Sequence, residues 1–158
     1  MKKIFALCGS SLLTVLLTVA AYAQEVKTEY FTLDLSSGWT QPKPVRSHPA
    51  GTTAVFTTED GKTAVNILVL NTDAPLQDIY AMHKEKMADK GYVITDEKCF
   101  ADERVMEFVR NGHKGTVCIA SNGRQAGMII IVGSPAAGRE LLRKSFTPVD
   151  PRLFPPPR

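Results

Sequence analysis

The side chains that could do chemistry are few and scattered. Gly61-Lys62-Thr63 has the ending of a phosphate-binding loop. A full loop needs its first glycine five residues earlier, and Phe56 stands there. The three histidines, His48, His83 and His113, form no pair at i, i+4. Neither HExxH nor a Cys/His cluster with zinc spacing occurs, so no metal site is expected. No serine sits in G-x-S-x-G, and no catalytic residue or cofactor motif is singled out. The acidic pairs Glu59-Asp60, Asp96-Glu97 and Asp102-Glu103 flank expected turns and read as solvated loop charges.

The binding candidates are four side chains on two expected helices. His83 and Tyr80 lie on the apolar stripe of the first. Arg139 and Arg143 lie on the second, together with Lys144. Residues 91–158 carry 10 basic and 7 acidic groups, against 7 and 9 in residues 24–90. The basic surplus would suit an anionic envelope partner, although scattered charges on a helix face are ordinarily just solvated.

The chain has 158 residues and a formal charge of +3. Its start is a targeting segment. Met1-Lys2-Lys3 is basic, Ile4 to Ala20 is nearly all apolar or small, and Ala21-Tyr22-Ala23 precedes Gln24. This is the layout of a cleavable signal peptide over residues 1–23, cut between Ala23 and Gln24. The apolar run is short for a spanning helix, so the mature chain is expected to carry no membrane span. Cys8 falls inside this segment behind Leu7, which is not a lipobox position. Without Lys2 and Lys3 the chain holds 17 basic and 16 acidic groups, a net charge of +1. That removes any charge-based argument for nucleic acid.

An exported chain with two cysteines, Cys99 and Cys118, is expected to bridge them. The expected strand order opposes this. On the outer strands of a three-strand meander they would stand roughly 9–10 Å apart, whereas a disulfide needs Cα atoms within about 7 Å. Compartment outweighs strand order here, and a disulfide is the expectation.

The elements that must position these groups follow from periodicity. Tyr30 to Leu35 alternates as a half-buried strand and ends at Ser36-Ser37-Gly38-Trp39, with Trp39 read as a core plug. Thr52–Thr58 and Thr63–Leu70 flank Asp60-Gly61 as a hairpin; the second run is apolar enough to be covered on both faces. A helix from about Pro75 to Lys90 is capped by Asp73 or Ala74 and ended by Gly91. Strands at 92–100, 104–110, 115–120 and 125–132 follow, separated in part by Asn111-Gly112 and Asn122-Gly123. Ser134-Pro135 opens a second helix carrying Leu141, Leu142 and Phe146. The class is α+β: a largely antiparallel sheet, one long helix after the first strands and a shorter C-terminal one, in a single domain over 24–147. Residues 148–158 are a Pro-rich tail of extended polyproline-like chain, from which Leu153 and Phe154 can dock on the body or on a partner.

The segment Tyr30-Phe31-Thr32-Leu33-Asp34-Leu35-Ser36-Ser37-Gly38-Trp39, with the order of elements after it, resembles Mog1p/PsbP-like domains, among them the DcrB-type exported bacterial envelope proteins. Ser36 stands where that family commonly has proline. The resemblance implies a fold and an accessory or binding role, and no catalytic residue. The leading expectation is therefore a small exported, periplasmic or secreted, non-catalytic protein that binds a protein or another envelope component. The alternatives are a periplasmic hydrolase whose site assembles from scattered residues, and a small-molecule binder using the groove between sheet and main helix.

Overall fold

The computed structural model describes residues 24–156. The expected signal peptide, with Ala23 on one side of its cleavage point, lies outside the described residues. The fold is α+β, with mostly antiparallel strands and two helices, the first the longer.

Strands β1 (Gln24–Lys27) and β2 (Phe31–Leu35) form a hairpin, and a third strand formed late in the chain, β11 (Phe146–Pro148), joins the other side of β2. The Thr28 hydroxyl accepts from the backbone N–H of Tyr30 and Phe31 and so shapes the turn of this hairpin. Phe31, Leu33 and Leu35 are buried on one face, as alternation requires.

The main sheet runs in the order β3-β5-β6-β10-β9-β8-β7, with β4 also paired to β5. Its members are β3 (Trp39–Thr40), β4 (Arg46–His48), β5 (Gly51–Thr58), β6 (Ala64–Asn71), β7 (Val93–Cys99), β8 (Glu103–Arg110), β9 (His113–Ser121) and β10 (Gln125–Val132). Every pairing is antiparallel. The expected hairpin tips are present. Asn111 and Gly112 both have positive φ (50° and 77°), as a tight primed turn demands. At the β5–β6 tip, Asp60 accepts from the Thr58 hydroxyl and the Lys62 amide, while Gly61 takes φ 69°.

Helix α1 (Leu76–Asp89) starts after Pro75, which is the N-cap in place of Asp73 or Ala74 and offers no side-chain acceptor. Gly91, at φ 77°, ends it: the Gly91 and Tyr92 amides donate to Ala88 and Met87 carbonyls in the double closure of a Schellman motif. Helix α2 (Pro135–Ser145) is capped by Ser134, whose hydroxyl accepts from the Ala137 amide. Phe146, expected on this helix, instead opens β11.

The two faces of the main sheet carry separate cores. Helix α1 packs on β7, β8 and β9, burying Ile79, Tyr80 and Met87 against Met106, Phe108, Val117 and Ile119. The small sheet and α2 cover the opposite face, over Phe56, Val65, Ile67, Val69, Ile129 and Ile131. These covers are offset across the sheet. For that reason β6 is not buried on both faces: Val65, Ile67 and Val69 are buried, and their neighbours are half-buried. Trp39 is half-buried on the short edge strand β3, at one end of the main sheet, and packs against the second core from its margin.

Candidate functional site

The register of β8, β9 and β10 lays side chains in rows across the sheet. Val105, Cys118 and Ile129 make one row; Glu103 and Ala120 lead to Gly127 in the next; Glu107, Thr116 and Ile131 make a third. All face the side of α2. The helix comes close because Gly138 has no side chain: a Cβ there would lie 2.5 Å from Ile131 Cγ2. Between these rows, Arg139 and Leu142 of α2, and the tail lies a cavity of about 290 Å³.

The tail forms one wall. It does not run on as polyproline. Asp150 closes a turn by accepting from the Arg152 amide (3.0 Å) and guanidinium (3.0 and 2.9 Å) and from the Asn122 amide (3.0 Å). Leu153 and Phe154, 2% and 4% exposed, then enter the core. Phe154 meets Phe31 and Phe146 edge-on, with ring centroids 6.3 and 5.3 Å away. Gly127 makes this possible, since a Cβ at that position would sit 2.1 Å from the Leu153 carbonyl oxygen.

The cavity is mostly apolar, with polar groups at set points. Glu103 is 3% exposed on its floor. Cys118 is pushed up to about 12, by burial first and then by the Glu103 charge, with Arg139 opposing. Its thiol is therefore protonated at neutral pH and is a packing group, not a nucleophile. Arg139 and Glu107 face each other at 3.8 Å, both about 40% exposed, a pair worth little in stability. Outside the cavity wall, between Glu107 and Ile131 in register, the Thr116 hydroxyl is buried with no hydrogen-bond partner among the described residues. Among the described residues no three His, Cys, Asp or Glu side chains converge to hold a metal ion. An apolar interior with a few fixed polar groups binds and orients a ligand.

The sequence candidates do not converge. Arg139 lines this cavity. Arg143 and Lys144 share Glu140 on the outer face of α2 (both 2.7 Å), and Arg152 is bound to Asp150, so these three cations are held in local ion pairs and do not converge on the cavity. Tyr80 is buried on the other face of the sheet, where its hydroxyl donates to Glu97; burial, then that carboxylate, raise its pKa. Lys84 holds the same carboxylate at 2.6 Å. His83 lines a separate groove beside α1.

The expected disulfide is absent: Cys99 and Cys118 are free thiols. Cys99 pairs with Arg104 and Cys118 with Val105, so β8 stands between their strands. Arg104 and Val105 are consecutive, and consecutive residues point to opposite faces. The cysteines are therefore separated by two strand spacings and by the sheet itself.

Glu103 is the residue that sequence reasoning misplaced. It looks like half of a solvated loop pair with Asp102, yet it begins β8. Its spacing from Val105 and Glu107 was the available signal, because i, i+2, i+4 share a face.

Among the described residues no helix is long and apolar enough to cross a membrane. No protein-family model matches the chain, and no curated protein matches it.

Proposed function

We propose that the chain is a small non-catalytic binding protein of the bacterial cell envelope, exported by cleavage between Ala23 and Gln24. We further propose that its fold is of the Mog1p/PsbP-like kind, and that its partner is an apolar envelope component held between the main sheet, α2 and the tail. The signal-peptide pattern supports export. The opening strand with its Gly38-Trp39 turn, and the order of elements, support the family. The cavity carries the binding reading: about 290 Å³ of mostly apolar space, with Leu153 and Phe154 as one wall. An apolar cavity of about 150 Å³ already admits benzene, so this one has room for a ligand of larger size.

The test uses N-phenyl-1-naphthylamine, a neutral apolar fluorophore, with the protein beginning at Gln24. Saturable binding of one probe per chain is expected. Val105→Phe places a larger ring on the cavity floor at a half-buried position and should weaken binding by about tenfold, the effect of losing roughly 1.4 kcal/mol. Absence of saturable binding, or equal binding by the variant, overturns the proposal.

A further inference from the structure

The opposite face of the sheet holds a second groove of about 230 Å³ beside the C-terminal half of α1. One helix stripe overhangs it: His83, Lys86, Met87 and Lys90, at i, i+3, i+4 and i+7. Its floor is Phe108, Val117, Ile130 and Val132. Gly115 deepens the floor, because the Phe108 ring occupies the space its side chain would take, 2.2 Å from an added Cβ. Tyr92 stands edge-on to Phe108 at 5.1 Å, and the Arg110 guanidinium lies 4.7 Å over Tyr92.

Charge and shape here are complementary to one kind of molecule. The stripe puts two ammonium groups and an imidazole along an apolar trough, with Arg110 near one end. None of the ion pairs among the described residues engages Lys86 or Lys90. Their field reaches the groove: His83 has its pKa lowered by burial first and then by Lys86 and Lys90. Beyond α1 the trough is open. The helix packs on β7, β8 and β9, and beside it half-buried Ile130 and Val132 of β10 lie open, bounded on the β6 side by Asn66 and Ala64. The apolar side chains of Ile130 and Val132 beside the lysine stems suit an alkyl chain. The volume of the groove suits one chain and not two, being about half as large again as a benzene-sized cavity.

We propose that this groove binds a single-chain anionic amphiphile, a long-chain fatty carboxylate. The alkyl chain lies on half-buried Ile130 and Val132, and the carboxylate sits between Lys86 and Lys90. The lysine stems cover apolar surface while their heads stay in water, which suits a ligand whose polar end stays at the mouth. This site lies across the sheet from the α2 cavity and does not depend on it.

The experiment is calorimetric titration of the protein from Gln24 onward with monomeric dodecanoate at low salt. One dodecanoate per chain is expected. Lys86→Glu with Lys90→Glu, both at exposed positions, should weaken it by about tenfold or more, the cost of losing one charge-assisted contact. Added salt should weaken it in the wild type, because exposed charges are screened. Val105→Phe, across the sheet, should leave it unchanged. The proposal is overturned by no binding, by equal binding of dodecyltrimethylammonium, or by indifference to the charge reversal. Loss of binding in Val105→Phe also overturns it, by moving the ligand to the α2 cavity. So does binding to phosphatidylglycerol vesicles without binding to free dodecanoate, which would make the ligand a bilayer surface.

Discussion

At the residue scale, the two thiols differ in everything except their type. Cys99 is exposed on the edge strand β7, and Cys118 is enclosed in the α2 cavity with its pKa raised to about 12. A thiol reacts as its thiolate, so burial and the raised pKa both protect Cys118, while Cys99 is open to solvent. Iodoacetamide at mildly alkaline pH should label Cys99 in the native protein and spare Cys118; denaturation without reductant should release both. Labelling of neither thiol under denaturing conditions would reveal a bridge and contradict the fold. In the sequence, two cysteines behind an expected signal peptide invoke a pairing rule. What the sequence could not show is that their cross-strand neighbours are Arg104 and Val105. That single step in register depends on the bulge in β7 between Ile94 and Asp96, which reflects local twist and leaves no composition signal. Glu103 teaches the same lesson: an acid beside a turn reads as solvated until the register of β8 turns it toward the cavity.

At the element scale, the hairpins and helices were legible because their ends are written in local chemistry. Asn111-Gly112, Asp60-Gly61, Gly91 and Ser134 each satisfy a backbone requirement within a few residues. The tail was not legible, because its destination is Gly127, more than twenty residues earlier in the chain. Gly127→Ala puts a methyl where the Leu153 carbonyl lies and should destabilise the protein by about 1–3 kcal/mol, as overpacking does. Ending the chain after Pro148 removes Leu153 and Phe154 and should cost more, since one buried leucine alone is worth about 2–5 kcal/mol. Chemical denaturation of both variants checks this; a truncated chain as stable as the full one would show that the docked tail contributes nothing. The same turn has an acid-sensitive clasp. The Arg152 guanidinium, then the Asn122 amide, hold Asp150 below the usual carboxylate range. A carboxylate with a depressed folded pKa stabilises the protein above its unfolded pKa, near 4, and that contribution is lost as pH falls toward the folded value. Asp150→Asn should therefore flatten the stability profile below about pH 4 and leave its dependence at neutral pH unaltered.

At the scale of the whole molecule, two cores share one sheet. Strand β10 belongs to both: Ile129 and Ile131 face α2 and the small sheet, whereas Ala126 and Met128 face α1. The alternation of a half-buried strand was visible in most segments. Which stretch of each face would be covered was not, because offset layers are set by where two helices and a small sheet land, and no single strand encodes that. The arrangement has a thermodynamic consequence. A layer resting on its own sheet could melt alone, but here a defect on either face weakens the strand on which the other rests. Met128→Ala removes a side chain 3% exposed on the α1 face and should cost about 2–5 kcal/mol. The only tryptophan, Trp39, lies on the margin of the opposite core. If the molecule is one cooperative unit, the Trp39 fluorescence transition and the far-ultraviolet dichroism transition of this variant shift together and coincide. A Trp39 transition that stays at its wild-type midpoint while the dichroism midpoint moves would mean that the two layers fold separately. The two binding sites proposed above would then sit on independent bodies, and ligand at one would leave the stability of the other untouched. A single shared transition instead means that dodecanoate in the α1 groove raises the midpoint reported by Trp39 across the sheet, as any ligand of the native state must.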